Sequence, residues 1–199
     1  MTPLRRICLY AGSSRGADPL YAEVAASLAR LLAGRGIGIA YGGASVGLMG
    51  VVADAALDAG GEVIGVLPRA LQAREIGHRR LTRLDVVETM HERKARMAEL
   101  SDAFIALPGG IGTLEEVVEA VTWTMLGIHR KPVGLLNVAD YYAPLEALLD
   151  QALDRGFLRP EHRDLLMSDG DPVALLERIE SWEPMHASRW TAVENPPPV

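Results

Sequence analysis

Short apolar runs alternate with longer helical patterns along most of the chain. The runs Ile7–Ala11, Gly38–Tyr41, Val63–Leu67, Leu84–Val87, Ala103–Leu107 and Pro132–Leu136 each predict a buried strand. Apolar residues three and four apart predict helices over Pro19–Arg35, Val46–Ala59, Met90–Leu100, Leu114–Met125, Tyr142–Arg155 and Pro172–Ile179. This alternation implies parallel βαβ units. We therefore expect an α/β fold, a doubly wound, Rossmann-like parallel sheet with helices on both faces.

Three segments depart from this rhythm. Residues 69–83 are rich in arginine and weakly periodic, and a loop of that length inside a compact domain is usually functional or mobile. The polar segment between Gly156 and Pro172 carries no predicted element. Because no repeat or linker interrupts the chain, we expect one domain over residues 1–182. Residues 183–199, which end in three prolines and a valine, are expected to form a mobile tail.

Composition narrows the partners that the chain could have. With 20 basic and 26 acidic residues the net charge is −6, so we expect no nucleic-acid partner, and a phosphate would need a local site. The single cysteine, Cys8, lies in the first apolar run and suits a buried hydrophobic position. No run approaches membrane-spanning length and the first is too short for a signal sequence, so we expect a cytoplasmic protein without a membrane partner.

The strongest chemical signal is Ala106-Leu-Pro-Gly-Gly-Ile-Gly-Thr-Leu-Glu-Glu116. Glycines between a strand and a helix let backbone N–H groups face a bound phosphate, and the helix dipole adds positive potential. An ordinary strand–loop–helix connection shares part of this pattern, with the glutamates as dipole partners, an interpretation that suits Glu119 best. The density of glycines and the two carboxylates at Glu115 and Glu116 favour a functional site instead.

The helix after this loop carries an apolar stripe that should face the sheet, formed by Leu114, Val117, Val118, Val121 and Met125. Glu115, Glu119 and Thr122 lie on a neighbouring face, whereas Glu116 comes off a different side.

Several polar turns should meet at one crevice, because ligands of such sheets bind outside the carboxyl ends of the strands. These turns are Gly12–Ser14, Gly42–Ser45, the region of Glu75 and Pro108–Thr113. Arg93 and Lys94 lie on a helix that follows one of these ends. They point about 100° apart, so one can face the crevice while the other braces its rim. A basic pair on a helix is more often a solvated face, but this position favours a role in the site.

Taken together, these motifs resemble the Lonely Guy family of cytokinin riboside 5′-monophosphate phosphoribohydrolases, older members of which were labelled lysine decarboxylases. The similar segments are Thr89–Lys94, Met97, Ser101–Glu116, Thr122-Trp123, Gly12–Ser14, Tyr41–Gly43, Val46–Gly50 and Gly134–Val138. Two positions depart from the family pattern: Ala44 stands where many relatives carry glycine, and Met125 where the family usually has glutamine.

The resemblance implies hydrolysis of the N-glycosidic bond of a cytokinin or adenine nucleoside 5′-monophosphate to free base and ribose 5-phosphate. It implies an acid/base or charge-stabilising role for Glu116, with Arg93 as its catalytic partner. The implied substrate-binding residues are Glu75, Lys94, Gly109, Gly110, Ile111, Gly112, Thr113, Leu114, Glu115 and Thr122. The glycines and Thr113 suit a phosphate, and Glu115 suits ribose hydroxyls. The resemblance implies no metal or organic cofactor. It also implies a homodimer, with which His129–Lys131 and the apolar Trp123–Leu126 are compatible.

Two other functions compete with this one. A pyridoxal-phosphate decarboxylase needs a Schiff-base lysine, and the chain has only Lys94, which lacks a visible pyridinium partner, and Lys131, at the start of a predicted strand. A non-catalytic nucleotide-binding sensor or carrier could use the same fold. Glu116 argues against it, because a protein that only binds an anion gains little from a second acid. A purely structural role would leave the glycine-rich turns unexplained.

Overall fold

The computed structural model describes residues 3–72 and 77–183. Within these ranges seven parallel strands form one sheet: β1 (Arg6–Tyr10), β2 (Gly38–Tyr41), β3 (Val63–Pro68), β4 (Arg83–Val87), β5 (Ala103–Ala106), β6 (Val133–Leu136) and β7 (Leu166–Asp169). The helices are α1 (Pro19–Gly34), α2 (Gly47–Asp58), α3 (Arg69–Gln72), α4 (Met90–Glu99), α5 (Ile111–Met125), α6 (Ala143–Asp154), α7 (Pro160–Arg163) and α8 (Pro172–Glu180). A short 3₁₀ turn covers Val138–Asp140.

The order of the strands, β4-β3-β2-β1-β5-β6-β7, confirms the doubly wound sheet. In β1, Ile7 lies opposite Ile39 of β2 on one side and Ala103 of β5 on the other. The chain builds outward from β1 to β4 and then returns to β5 on the opposite side of β1. The connections after β1 and β5 therefore diverge, which opens a crevice at the carboxyl ends of these two strands.

Apolar side chains pack on both faces of the sheet, as predicted. On one face the core contains Leu28 of α1, Val52 of α2 and Leu175 of α8. On the other face, Met97 of α4 and Val117 of α5 are buried. Because both faces are covered, the central strands can be apolar at every position, which explains their continuous hydrophobic runs.

Some elements differ from the sequence predictions. Strand β7 and helix α7 form within the polar segment after Gly156, where we predicted neither. Among the described residues β7 is an edge strand that pairs with β6 alone. It is half-buried at its end, so it lacks the apolar signal of the inner strands. Helix α3 occupies the start of the arginine-rich segment, and most of the predicted C-terminal tail lies outside the described residues.

The predicted apolar stripe of α5 was wrong at one position. Val118 is 50% exposed, and the buried positions of the helix are Thr113, Glu116, Val117 and Ala120. These four follow the spacing i, i+3, i+4 and i+7, so the buried face is rotated towards the polar Thr113 and Glu116. Across the described ranges, no helix combines the length and apolar character needed to span a membrane.

Candidate active site

The glycine and serine turns converge at the carboxyl ends of the strands. The amide of Gly12, after β1, donates to the carbonyl of Pro108, after β5, at 3.3 Å. The amide of Leu48 at the start of α2 donates to the carbonyl of Gly12 at 3.0 Å. Gly47 has a φ of +60°, and a Cβ there would lie 2.2 Å from the carbonyl carbon of Ser13. Glycine is therefore required where α2 approaches the β1 turn.

The loop between β5 and α5 offers amide donors to open space. The N-cap of α5 is Gly110, which has no side chain that could accept a hydrogen bond from the first amides of the helix. The N–H groups of a first helical turn also have no partner within the helix, so here they are uncapped. Cβ atoms at Gly110 and Gly112 would meet no atom within 4 Å, whereas one at Gly109 would lie 2.2 Å from Oγ1 of Thr113. The loop thus packs on one side and presents its other side to the crevice, as an anion site requires.

Arg93 is held at the centre of the crevice by three elements. Its Nε donates to the carbonyl of Val66 in β3 at 3.2 Å, and its Nη1 lies 3.3 Å from Oε1 of Glu116. A Cβ at Gly42 would lie only 1.8 Å from Nη2 of Arg93. The absence of a side chain at Gly42 therefore makes room for the guanidinium, a role that the sequence analysis had not assigned to this glycine.

Glu116 is a buried carboxylate on the sheet-facing side of α5. Its side chain is 10% exposed, and that of Arg93 is 11% exposed. Burial raises the pKa of Glu116 above its usual value; Arg93 opposes this shift, and the charge of Glu115 adds to it. Such a group can stabilise a positive charge in its ionised form and can also accept a proton.

Lys94 of α4 contacts two carboxylates of α5, apart from Glu116. Its Nζ contacts the carboxylate of Glu115 and lies 3.0 Å from Oε1 of Glu119. Burial lowers the pKa of Lys94, but the hydrogen bonds to Glu115 and Glu119 outweigh burial and raise it above its ordinary value. Glu119 is therefore a partner of Lys94, beyond the simple dipole interaction that its sequence position suggested.

The structure thus brings together Arg93, Lys94, Glu115, Glu116 and the loop Gly109–Thr113. The remaining predicted site residues are placed less directly. Leu114 packs against the core and its amide donates to the carbonyl of Gly110, while the side chain of Ile111 is exposed. Thr122, about 10 Å further along α5 than Glu115, donates its hydroxyl to the carbonyl of Val118. Glu75 lies outside the described residues.

Lys131 and Cys8, the residues weighed for a Schiff base and a nucleophile, both lie in positions that suit a role in the fold. Nζ of Lys131 donates to the carbonyl of Ala98 at 2.7 Å. Lys131 lies just before β6, at the amino ends of the strands, whereas the crevice lies at their carboxyl ends. Cys8 is buried in the core, where burial raises the pKa of its thiol. Among the described residues, no group of three or more His, Cys, Asp or Glu side chains is arranged to hold a metal ion.

Two residues at the rim of the site were missed by the sequence analysis. The hydroxyl of Tyr141 donates to the carbonyl of Gly109, and that of Tyr142 donates to the carbonyl of Leu107. We had assigned Tyr142 only to the start of a helix. Their position after the carboxyl end of β6, at the same edge of the sheet as the glycine loop, was the available signal.

The chain is similar in sequence to a protein family and to several known proteins. A family model described as "Possible lysine decarboxylase" matches residues 49–179. The "Probable cytokinin riboside 5'-monophosphate phosphoribohydrolase LOGL2" of Oryza sativa subsp. japonica is 48% identical over 182 residues, which cover 92% of this chain and 75% of the rice protein. The "Cytokinin riboside 5'-monophosphate phosphoribohydrolase LOG3" of Arabidopsis thaliana is 47% identical over 182 residues, covering 92% and 85% of the two chains.

Solved structures with the same fold include proteins described as binding or carrying the molybdenum cofactor. The molybdenum cofactor binding protein of Rippkaea orientalis has a TM-score of 0.67 and 26% identity, covering 91% of this chain and 98% of its own. The molybdenum cofactor carrier protein of Chlamydomonas reinhardtii also has a TM-score of 0.67, with 22% identity and coverages of 90% and 100%. The second likeness bears on the fold alone.

Proposed function

Because this chain belongs to the Lonely Guy family, we propose that it hydrolyses the N-glycosidic bond of an adenine or cytokinin nucleoside 5′-monophosphate. The products are the free base and ribose 5-phosphate. The observation that carries this proposal is the buried pair of Arg93 and Glu116 beside the uncapped glycine loop of α5. We further propose that the enzyme acts in the cytoplasm on this small substrate, without a nucleic-acid or membrane partner, in keeping with its net charge of −6.

The reaction breaks the bond between the base and C1′ of the ribose, and a water molecule supplies the new oxygen on C1′. As the bond lengthens, C1′ gains the character of an oxocarbenium ion, which a nearby carboxylate stabilises. Glu116 fulfils this role when ionised, and its raised pKa also suits it to accept the proton that the attacking water loses. The departing base takes up one proton and the attacking water loses one, so the reaction adds OH to C1′ and H to the base with no net change in protons. Arg93 favours the ionised form of Glu116 and fixes its orientation.

The two ends of the substrate use different parts of α5. We place the 5′-phosphate at the amides of the loop Gly109–Thr113, where free donors and the helix dipole meet. Glu115, half-exposed and in contact with Lys94, is positioned for the ribose hydroxyls. The contribution of Glu75, Ile111, Leu114 and Thr122 to substrate binding remains a prediction from the family pattern.

A symmetric homodimer is part of this proposal. The outer face of α5 exposes Ile111, Val118 and Leu126, spaced seven and eight residues apart, and Ile128 is exposed just beyond them. An apolar stripe of this kind is typical of a surface that a partner covers. Glu115 and Thr122 lie on the same face of the helix, between these apolar residues. A partner that packs on this stripe would approach the substrate site, where Thr122 could then contribute.

A non-catalytic carrier is the alternative, since the molybdenum cofactor binding protein of Rippkaea orientalis shares the fold. Its identity to this chain is 26%, whereas the phosphoribohydrolases LOGL2 and LOG3 reach 48% and 47%. A carrier would also gain nothing from the buried carboxylate of Glu116, whose charge repels an anionic ligand. We therefore favour hydrolysis.

The first prediction concerns the catalytic pair. Glu116→Gln keeps the size of the side chain and removes the charge that stabilises the oxocarbenium ion, so kcat should fall by about 10²-fold or more. Arg93→Ala should have a similar effect. Gly42→Ala should also lower kcat although both charged residues are intact, because the new methyl group would displace the guanidinium. Steady-state kinetics with adenosine 5′-monophosphate (AMP) measure these effects.

Arg96→Ala is a matched control, because Arg96 lies on the same helix but pairs with Asp85 and Glu99 at the surface. It should retain the wild-type kcat, and circular dichroism should show all variants folded. In Arg93→Ala the pKa of Glu116 should rise further, since Arg93 lowers it; the acid-side loss of kcat/KM should therefore begin at a higher pH. Full activity in Glu116→Gln or Arg93→Ala would contradict the assignment.

The second prediction concerns assembly. Light scattering at micromolar concentration should give about twice the 21.4 kDa mass of one chain. Val118→Asp should shift the protein towards the monomer, because it places a charge in the apolar stripe of α5. Phe157→Asp is the control, since Phe157 is also exposed but follows α6 and is not part of the stripe on α5. A wild-type mass of 21.4 kDa would refute the dimer.

The third prediction is that the 5′-phosphate is obligatory. Phosphate binding at the glycine loop positions C1′ against Glu116, so its binding energy raises kcat as well as lowering KM. Adenosine should be hydrolysed at least about 10³-fold less efficiently than AMP, a difference of roughly 4 kcal/mol. Inorganic phosphate should compete with AMP, and Thr113→Val should impair AMP hydrolysis more than adenosine hydrolysis. Comparable kcat/KM values for the two substrates would show that the loop is only a turn.

A further inference from the structure

The carbonyl side of the glycine loop is held by hydrogen bonds from neighbouring elements. The carbonyl of Leu107 accepts from the hydroxyl of Tyr142 at 2.6 Å, and that of Pro108 accepts from the amide of Gly12 at 3.3 Å. The carbonyl of Gly109 accepts from the hydroxyl of Tyr141 at 2.5 Å. Three consecutive carbonyls of the loop are therefore each held by a neighbouring element, the turn after β1 or the segment after β6.

The third of these bonds fixes the direction of an amide. In a trans peptide the carbonyl of one residue and the N–H of the next point in opposite directions. The carbonyl of Gly109 and the N–H of Gly110 belong to the same peptide, so the bond from Tyr141 also sets where the Gly110 amide points. Glycine on both sides leaves this peptide unusually free to turn over. Tyr141 removes that freedom.

The segment that carries Tyr141 is itself in an unusual conformation. Ala139 and Asp140 have φ values of 51° and 56°, in the left-handed region that residues other than glycine rarely adopt. The segment is fixed by Asn137, whose side-chain Oδ1 accepts from the backbone amide of Tyr142 at 2.7 Å. The backbone amide of Asn137 donates to the backbone carbonyl of Asp169 at 2.8 Å. Two successive residues in this region cost conformational energy, so the surrounding structure must hold the segment, and with it the side chain of Tyr141, in place.

We propose that Tyr141 is a positioning residue of the phosphate site: it locks the Gly109–Gly110 peptide so that the Gly110 amide faces the phosphate. The inference rests on the proposed function, because the phosphate is that of the substrate. Tyr142 is fully buried and also packs in the core, so its bond supports the fold generally. Tyr141, in contrast, is 38% exposed at the rim of the crevice, and its hydroxyl holds the glycine loop without packing in the core.

Tyr141→Phe tests this role because it removes only the hydroxyl. We expect about tenfold weaker binding of ribose 5-phosphate by calorimetry, and a fall of about tenfold in kcat/KM for AMP. The much lower kcat/KM for adenosine should not change, since adenosine has no phosphate. Tyr21→Phe is the matched control: the ring of Tyr21 lies edge-on to that of Tyr141, with centroids 6.0 Å apart, and the variant keeps this contact. It should bind ribose 5-phosphate like the wild type.

A double-mutant cycle with Gly110→Ala separates positioning from general support. Turning the peptide over would change φ of Gly110 from −84° to a positive value that alanine disfavours. A Cβ at this position meets no atom within 4 Å, so the protein itself can accommodate the methyl group. The methyl group should therefore replace part of the lock, and Tyr141→Phe should weaken ribose 5-phosphate binding less in the Gly110→Ala background than in the wild type.

Three results would overturn the proposal. They are unchanged ribose 5-phosphate binding in Tyr141→Phe, equal losses of kcat/KM for AMP and adenosine, and a fully additive cycle with Gly110→Ala. The binding measurements need no turnover. If the protein failed to hydrolyse AMP, the proposed function would fall, whereas calorimetry would still decide whether Tyr141 orders the phosphate loop.

Discussion

Arg93 and Glu116 place two opposite charges almost out of contact with water, and each charge depends on the other. A buried carboxylate without a partner would take up a proton, and a buried guanidinium without one would be strongly destabilising. Their 3.3 Å contact joins α4 to α5, and the bond from Arg93 to Val66 ties both helices to the end of β3. Gly42, directly after β2, leaves space for the guanidinium because it has no side chain. The ends of two strands and the starts of two helices are thus arranged around one ion pair.

Under the proposed function, this arrangement separates binding from chemistry along one helix. In the proposed mechanism the first turn of α5 offers its uncapped amides to the phosphate, and one turn further the buried carboxylate of Glu116 faces the developing cation. A nucleoside 5′-monophosphate carries the complementary features in the same order, an anionic phosphate and then the carbon that becomes electron-poor. The neighbouring Glu115 and Glu119 are in contact with Lys94, which keeps a further pair of acids from leaving the site excessively negative.

Much of this organisation could be predicted from the sequence, because the inner strands and the glycine loop have strong local signals. Apolar runs identified β1 to β6, and their alternation with helices predicted a crevice at the carboxyl ends. Contacts between distant segments could not be read in this way. The sequence around Gly42 does not indicate that Arg93 packs against it, and the sequence around Tyr141 does not indicate that its hydroxyl donates to Gly109. The edge strand β7 and the exposed Val118 were misjudged for a related reason, since burial depends on which neighbours an element finds.

The central claim is that the protein cleaves the glycosidic bond of its nucleotide and does not merely hold it. Overnight incubation of the purified wild-type protein with AMP, followed by liquid chromatography and mass spectrometry, tests this most directly. We predict that AMP is converted to equal amounts of adenine and ribose 5-phosphate, and that Glu116→Gln leaves AMP largely intact. Recovery of unchanged AMP from the wild-type protein would contradict the claim and favour a carrier, and release of adenosine with inorganic phosphate would show that a different bond is cleaved.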